Sequence, residues 1–297
     1  MKMNDSIFKG VLVLVGLLMA LGYTLVSHIK LDEPVFFQHY YDQRVYIDNR
    51  YHNQDNPFNL QYITNVDDDR VVMAVEFLEY PELNIKVTEE QFSHSFNWGY
   101  GQDNTPGETY GWYSVRTVYC QITDFPEEKG LDGVVLTQAK ILFDDFSEKT
   151  VDIGEIHLYE SELGERLLSQ VSASSSSYGT SSSRYKVLED ISLVTIVSPL
   201  MEKFQDRVEL EVNGSNSVDI AKISLQKGNF LEVISKVGPP TEEDIVSQYT
   251  LFNIHPKLIF TDVDGNDHDQ RFYNINSIYH NYTFIDLYRY VKAREAI

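Results

Sequence analysis

The chain has 297 residues, and its 45 Asp and Glu against 24 Lys and Arg give a formal net charge of −21 at pH 7. A field of that sign repels phosphate groups, so we expect no nucleic-acid partner. Cys120 is the only cysteine. It excludes an intramolecular disulfide and favours a bacterial exported protein over an animal ectodomain.

The N-terminal segment predicts a membrane anchor. No charged residue interrupts residues 10–26, a run of 17 residues that forms about 25 Å of helix. Its apolar flanks extend it over residues 7–29, which approaches the roughly 30 Å hydrocarbon thickness of a bilayer. We therefore expect the lipid bilayer to be a partner of residues 7–29.

Flanking charges predict the orientation of this anchor. Lys2 and Lys9 precede the apolar run, which favours a cytoplasmic N-terminus and an extracytoplasmic C-terminal domain at the plasma membrane. Residues 1–30 then form a cytoplasmic stub and a transmembrane signal-anchor. The alternative is a cleaved signal peptide, because Ala20 and Gly22 place small residues at the −3 and −1 positions of a cleavage site.

Alternating apolar and polar residues recur through the remainder of the chain. They predict hairpins over residues 58–64 with 70–77 and over 134–143 with 150–159, and a long strand over 110–123. Twenty Tyr and sixteen Phe support this preference for strands. We expect a mainly β protein with one or two antiparallel β-sandwich-like modules.

Residues 169–184 are rich in Ser and carry few apolar side chains, which predicts a linker or a long loop. A linker divides the ectodomain into a β-rich module over residues 31–168 and a second over residues 185–297. The alternative is a single β-domain that contains this stretch as a loop.

The second module contains a strong turn signal and two helix signals. Asn213 and Gly214 lie between alternating runs and predict a hairpin turn. The acids after Thr241 predict a short helix near residues 241–249, and the apolar spacing of residues 283–297 predicts a C-terminal helix.

An acidic segment over residues 262–269 is the candidate metal site. Calcium binds six to eight oxygens in a flexible loop, and the oxygen-bearing residues here are Asp262, Asp264, Asn266, Asp267 and Asp269. EF-hand spacing is absent, because Gly265 comes too early in the loop. We predict either a calcium site or a polar hairpin turn, and no other cofactor.

An aromatic segment is the candidate ligand surface. It contains Trp98, Tyr100, Tyr110 and Trp112, which include both tryptophans of the chain. Exposed rings stack on sugars and anchor protein interfaces, so the predicted partner is a protein or a glycan. The alternative is that these rings are buried in the sandwich.

No residue pattern predicts a catalytic site. The chain lacks H-E-x-x-H, G-x-S-x-G and phosphate-loop motifs, and Cys120 has the surroundings of a buried strand cysteine. We expect a membrane-anchored extracytoplasmic binding or structural protein. The alternatives are an extracytoplasmic enzyme that acts on cell-wall polymers and a calcium-stabilised surface module.

Overall fold

The computed structural model describes residues 5–45, 57–89, 107–124, 131, 133–160, 166–176, 179–216, 220–221, 223–238, 244–271, 275–276 and 281–295, with the side chains of residues 5–7 and 25–27 excepted.

The first half of the chain contains one helix and nine strands in the described part. In chain order these are α1 (Asp5–Ile29), β1 (Val35–Phe36), β2 (His39–Val45), β3 (Phe58–Asn65), β4 (Val72–Phe77), β5 (Asn84–Thr88), β6 (Glu108–Tyr110), β7 (Tyr113–Asp124), β8 (Val135–Phe143) and β9 (Glu148–Glu160).

The second half continues with β10 (Leu168–Ser175), β11 (Thr180–Val187), β12 (Ile191–Val197), α2 (Pro199–Lys203), β13 (Val208–Val212), β14 (Ser215–Asn216), β15 (Ser224–Leu225), β16 (Phe230–Val237), α3 (Ile245–Gln248), β17 (Leu251–Ile254), β18 (Lys257–Thr261), β19 (Asp267–Arg271), β20 (Ile275–Asn276) and α4 (Phe284–Glu295).

The strands form four sheets, which we label A to D. Sheet A has the order β1-β3-β7-β5, with β6 also beside β7, and sheet B has the order β20-β17-β2-β9-β8-β4. Sheet C has the order β10-β11-β16-β13-β14, and sheet D has the order β15-β12-β18-β19. The prediction of a mainly β protein with several antiparallel sheets is confirmed.

Sheet B departs from a purely antiparallel arrangement. Its strand β2 pairs in parallel with both β9 and β17. Local alternation cannot distinguish parallel from antiparallel pairing, because the two differ in which distant strand comes alongside and not in the pattern of one strand.

Two hydrophobic cores lie between these sheets. The first packs sheet A and sheet B together, with the fully buried Leu287, Tyr290 and Val291 of α4 against them. The second packs sheets C and D together, and Phe252 and Ile254 of β17 also belong to it. The two cores therefore share β17, which connects them through sheet B.

The Ser-rich stretch differs from the predicted linker. Leu168–Ser175 and Thr180–Val187 pair antiparallel as β10 and β11 of sheet C. β11 is held by backbone pairing to β16 on its other side, and its Tyr185 and Val187 are buried. Backbone hydrogen bonds and a few apolar anchors order this segment although most of its side chains are small and polar.

The predicted division of the ectodomain at residues 169–184 also differs from the structure. Residues of α3, β17 and α4 belong to the first core although they follow the Ser-rich stretch in sequence. The first unit is therefore built from separate parts of the chain, because β10 to β16 lie between β9 and α3, and β18 and β19 lie between β17 and α4.

Individual elements are partly as predicted. The β8–β9 hairpin, the turn at Asn213 and Gly214, and the C-terminal helix α4 are confirmed. The helix predicted near residues 241–249 is present as Ile245–Gln248. The hairpin of residues 58–64 with 70–77 is wrong, because β3 pairs with β7 in sheet A and β4 pairs with β8 in sheet B.

The helix α1 has 25 residues, and most apolar side chains described along it are exposed, with exposed fractions of 64% at Val13, 63% at Leu17 and 73% at Met19. Within the described residues, no helix is long and apolar enough to cross a membrane. The predicted transmembrane span is therefore not confirmed.

Candidate functional site

The first candidate site is the end of sheet A where α1 joins the β structure. The Tyr113 hydroxyl donates to the carbonyl of Ile29, the last residue of α1, at 2.6 Å. Asn65 and the backbone of Leu31 exchange two hydrogen bonds of 2.9 and 2.7 Å. Lys30 forms an ion pair with Asp67 at 2.9 Å. The C-terminal end of α1 is thus connected to the β structure by hydrogen bonds and an ion pair.

The turn between β3 and β4 supports this junction. The Asp68 carboxylate accepts hydrogen bonds from the Thr64 hydroxyl at 2.6 Å and from Arg70 Nε and Nη2 at 3.0 and 2.9 Å. Arg116, which is 2% exposed, donates to the carbonyls of Arg70 and Asp68. Burial raises the pKa of Asp68, but the bonds from Arg70 and Thr64 outweigh it and hold that pKa at about 2. The turn is therefore a rigid base for α1.

Two residues of the predicted ligand surface lie at this same end. Tyr110 ends β6, and its ring packs edge-on against Tyr282 with centroids 5.7 Å apart. Trp112, two residues later, is 57% exposed. Gly111 between them has a φ of +66°, and an added Cβ would lie 3.1 Å from the Phe284 ring. Trp98 and Tyr100 lie outside the described residues.

The second candidate site is the turn between β18 and β19, the predicted calcium loop. Asp262 Oδ1 accepts hydrogen bonds from the backbone N–H groups of Asp264 and Asn266, each at 2.9 Å. Asp262 Oδ2 lies 2.9 Å from both Asn266 Nδ2 and His268 Nε2. These hydrogen bonds, led by the one to His268, lower the pKa of Asp262. Both carboxylate oxygens therefore hold the hairpin turn together.

The other acids of this loop do not gather around Asp262. Asp269 forms an ion pair with Lys257 across the β18–β19 ladder. In the part of the chain that the structure describes, no three His, Cys, Asp or Glu side chains are placed to hold a metal ion. The calcium site stays a prediction, and the geometry gives Asp262 a role as the cap of the turn.

Cys120 lies in the interior of β7. It is completely buried, and burial raises the pKa of its thiol. A nucleophilic cysteine needs an accessible thiolate, and this environment favours the neutral thiol.

A third polar cluster lies where β2 and β9 of sheet B meet His255 and β19, and the sequence carries no signal for it. Asp42, which is 4% exposed, accepts a hydrogen bond of 2.8 Å from the backbone N–H of His255. Arg271 donates to the His255 carbonyl at 2.7 Å and lies 3.9 Å above the ring centroid of Tyr159. Burial raises the pKa of Asp42. These residues fasten β18 and β19 of the second unit to sheet B of the first.

The sequence could not reveal this third cluster, because its members come together through the parallel pairing of β2 with β9 and through the contact of Arg271 of β19 with Tyr159. His39 to Val45 of β2 align with Gly154 to Glu160 of β9, more than a hundred residues later. No motif within a local window connects Asp42, Tyr159 and Arg271.

No family model and no curated protein matches the chain. Among solved structures, it is similar to the D00-D0 domain of intimin, at 7% identity over 83% of this chain and 100% of that one, with a TM-score of 0.23. It is also similar to fibronectin(III)-like modules of Clostridium thermocellum CbhA, at 12% identity over 84% and 96%, with a TM-score of 0.18.

A third similar structure is the sialic acid binding region of a Streptococcus sanguinis SK1 adhesin, at 8% identity over 81% of this chain and 76% of that one, with a TM-score of 0.19.

Proposed function

We propose that this chain is an extracytoplasmic binding or structural protein that α1 holds at the plasma membrane and that engages a protein or a glycan. The observation that carries the proposal is the exposed apolar surface of α1, joined to the β structure by the fixed contacts of Ile29, Lys30 and Leu31.

The exposed apolar surface of α1 favours a lipid environment. Val13, Leu17 and Met19 each leave more than half of their surface exposed, and burying apolar surface away from water gains about 25 cal/mol per Å². A contiguous apolar surface of this kind is typical of membrane or protein contacts and unusual on a protein free in water.

The junction supports the view that the β structure is displayed close to the bilayer. Three hydrogen bonds and one ion pair connect residues 29–31 to Asn65, Asp67 and Tyr113. A flexible tether would let the β structure move away from the membrane, whereas these contacts fix its position relative to the end of α1.

Trp112 is the described residue that best fits ligand binding. Its exposed ring lies at the α1 end of the β structure, where it could stack on a sugar or enter a protein interface. The ligand surface proposed here is therefore on the membrane-proximal side.

Flotation with phosphatidylcholine vesicles tests the anchor. We expect the full-length chain to float with the vesicles and the Val13→Arg/Leu17→Arg variant to stay in the aqueous fraction, since each Arg at the centre of an apolar helix costs roughly 2.5–3.5 kcal/mol on insertion scales. The control is Met73→Arg/Val263→Arg, which changes two exposed apolar residues of the β structure. Equal flotation of both double variants would contradict the anchor.

Cross-linking in the native membrane tests the ligand surface. We expect a partner or glycan to be recovered with the wild type and lost from Trp112→Ala, while Phe146→Ala, which removes another exposed aromatic ring, retains it. Equal recovery with both variants would contradict a role for Trp112 in binding.

A further inference from the structure

The strand β10 forms an open edge of sheet C. It pairs with β11 on one side only among the strands that the structure describes. Seven of its eight residues, all but Leu168, are exposed. The segment from residue 168 to 183 contains no charged residue. The register with β11 shifts between Gln170 and Ser172, and the Leu168 carbonyl accepts a hydrogen bond from Gln270 Nε2 at 3.0 Å. The regular open edge is therefore residues 172–175, roughly 13 Å of backbone whose outward N–H and C=O groups can pair with another strand.

The other described edge strands are protected in the ways that natural sheets protect their edges. Four of them, β1, β14, β15 and β20, have two residues each. The remaining edge strands carry charged residues, which include Glu76 in β4, Lys86 in β5, Glu108 in β6 and Asp267 in β19. Short length and charge both oppose edge-to-edge pairing. Within the described part of the chain, β10 is the edge strand of more than two residues that carries no charge, and its one irregularity, between Gln170 and Ser172, lies before residues 172–175.

The hydrogen-bond pattern shows which backbone groups of β10 face outward. Val187 N donates to the Asn229 carbonyl, and the Gly179 carbonyl accepts from Val237 N. Odd-numbered residues of β11 therefore bond to β16, and even-numbered ones bond to β10, because bonding directions alternate along an antiparallel strand.

This alternation continues into β10. Ser174 lies opposite Ser182, so its backbone groups bond to β11. Its neighbours Ala173 and Ser175 then direct their N–H and C=O groups away from β11, toward the open side. The outward amides of Ala173 and Ser175 are the groups that a further strand would use.

We propose that β10 pairs antiparallel with β10 of a second copy of this chain, about a two-fold axis. Two copies each carry a net charge of −21 and repel each other, so the uncharged edge is where they can approach at the least electrostatic cost. The edge is self-complementary, because its Ser and Ala side chains are small enough to lie opposite one another whichever of these residues are paired. A Ser hydroxyl pair already occurs across β10 and β11, with the Ser174 and Ser182 Oγ atoms 2.9 Å apart.

Such a dimer closes at two copies and is weak in solution. An isologous two-fold contact uses the same edge on both partners and leaves none for a third. Strand pairing with small side chains buries less than the roughly 1,000 Å² typical of stable complexes. Two copies held on one surface would pair more readily, because confinement raises their effective concentration. The pairing itself requires no membrane.

The test combines sedimentation velocity with hydrogen exchange on the full-length chain in neutral detergent, from low to high micromolar concentration. With rising concentration we expect a shift from monomer to dimer and a slowing of amide exchange confined to residues 168–176. Ala173→Pro removes an outward N–H and should abolish both changes, whereas Ala173→Ser keeps that N–H and should retain them.

A second variant covers the case in which proline disturbs the hairpin. Ala173→Lys keeps the backbone N–H but places like charges face to face in the dimer, so it should weaken association while leaving the melting temperature of the monomer unchanged. Concentration-independent exchange in the wild type would overturn the proposal. Dimerisation that persists in both Ala173→Pro and Ala173→Lys would also overturn it, because another surface would then be responsible.

Discussion

His39 is neutral because it is buried, and two hydrogen bonds of opposite direction fix its tautomer. Its Nδ1 lies 3.3 Å from the Ile153 carbonyl, which can only accept, and its Nε2 lies 2.8 Å from the Gln61 N–H, which can only donate. Nδ1 therefore carries the proton and Nε2 is bare. His39 is completely buried, and burial lowers its pKa to about 3. It connects sheet A, through Gln61, with sheet B, through Ile153.

This environment of His39 predicts acid sensitivity. Below pH 6.5 the unfolded chain binds a proton at His39 and the folded chain does not. The free energy of unfolding is therefore highest above pH 6.5 and decreases as the pH falls toward 3. The expected loss is about 1.4 kcal/mol per pH unit within this window. Urea unfolding at pH values between 7 and 5 measures it. His39→Gln should remove this component, and an unchanged pH dependence in that variant would contradict the prediction.

Asp262 offers a test that distinguishes a turn cap from a calcium ligand. Because both of its oxygens bond to the β18–β19 turn, we expect Asp262→Ala to lower the melting temperature equally with calcium and with chelator. Asp264→Ala, in the same turn, is the matched control. If calcium raised the melting temperature of the wild type but not of Asp262→Ala, the result would support a calcium site. The hydrogen bonds of Asp262 within the turn would then not explain its role by themselves.

At the scale of elements, the parallel contact of β2 with β9 depends on a glycine. Gly154 lies opposite His39 in the register, with a φ of +94°, and an added Cβ would be 2.3 Å from the His39 carbonyl oxygen. The left-handed conformation and the close backbone approach both require the absence of a side chain.

Gly154→Ala is therefore expected to destabilise the fold strongly, by at least about 2 kcal/mol. Gly133→Ala is the matched control, since Gly133 has a φ of +86° but no atom within 4 Å of its added Cβ. Urea unfolding of the two variants separates the strain of the backbone angle from the clash with β2. Equal destabilisation of the two variants would contradict the prediction, because it would mean that β2 moves away from the added Cβ without a cost in stability.

At the scale of the whole molecule, the C-terminal helix completes the first core. Leu287, Tyr290 and Val291 of α4 are fully buried, and the Tyr290 hydroxyl accepts a hydrogen bond from the Gln38 N–H at 3.1 Å. β17 lies beside β2 in sheet B. The first unit therefore needs β17 and α4, which follow β10 to β16 in the chain.

This arrangement predicts that residues 31–168 do not fold alone. A fragment with these bounds lacks β17, β20 and α4, and it exposes the apolar surface that they cover. Urea titration followed by circular dichroism should show no cooperative transition for the fragment, whereas the full-length chain should show one. A cooperative transition of the isolated fragment would support the division at residues 169–184.

The sequence by itself determined those features that depend on a few neighbouring residues. Alternation predicted β3, β4, β7, β8 and β9, the Asn213-Gly214 pair predicted its turn because both residues adopt positive φ, and the spacing of residues 283–297 predicted α4. Tyr110 and Trp112 could be selected from composition and spacing, and their position beside α1 could not.

Only the tertiary structure decided the features that join distant segments. β3 and β4 separated into different sheets, the Ser-rich stretch became a β-hairpin, and His39 became neutral between Gln61 and Ile153. The physical reason is that strand pairing, burial and protonation depend on groups that lie far apart in the chain, whereas periodicity and turn preference are properties of single short segments.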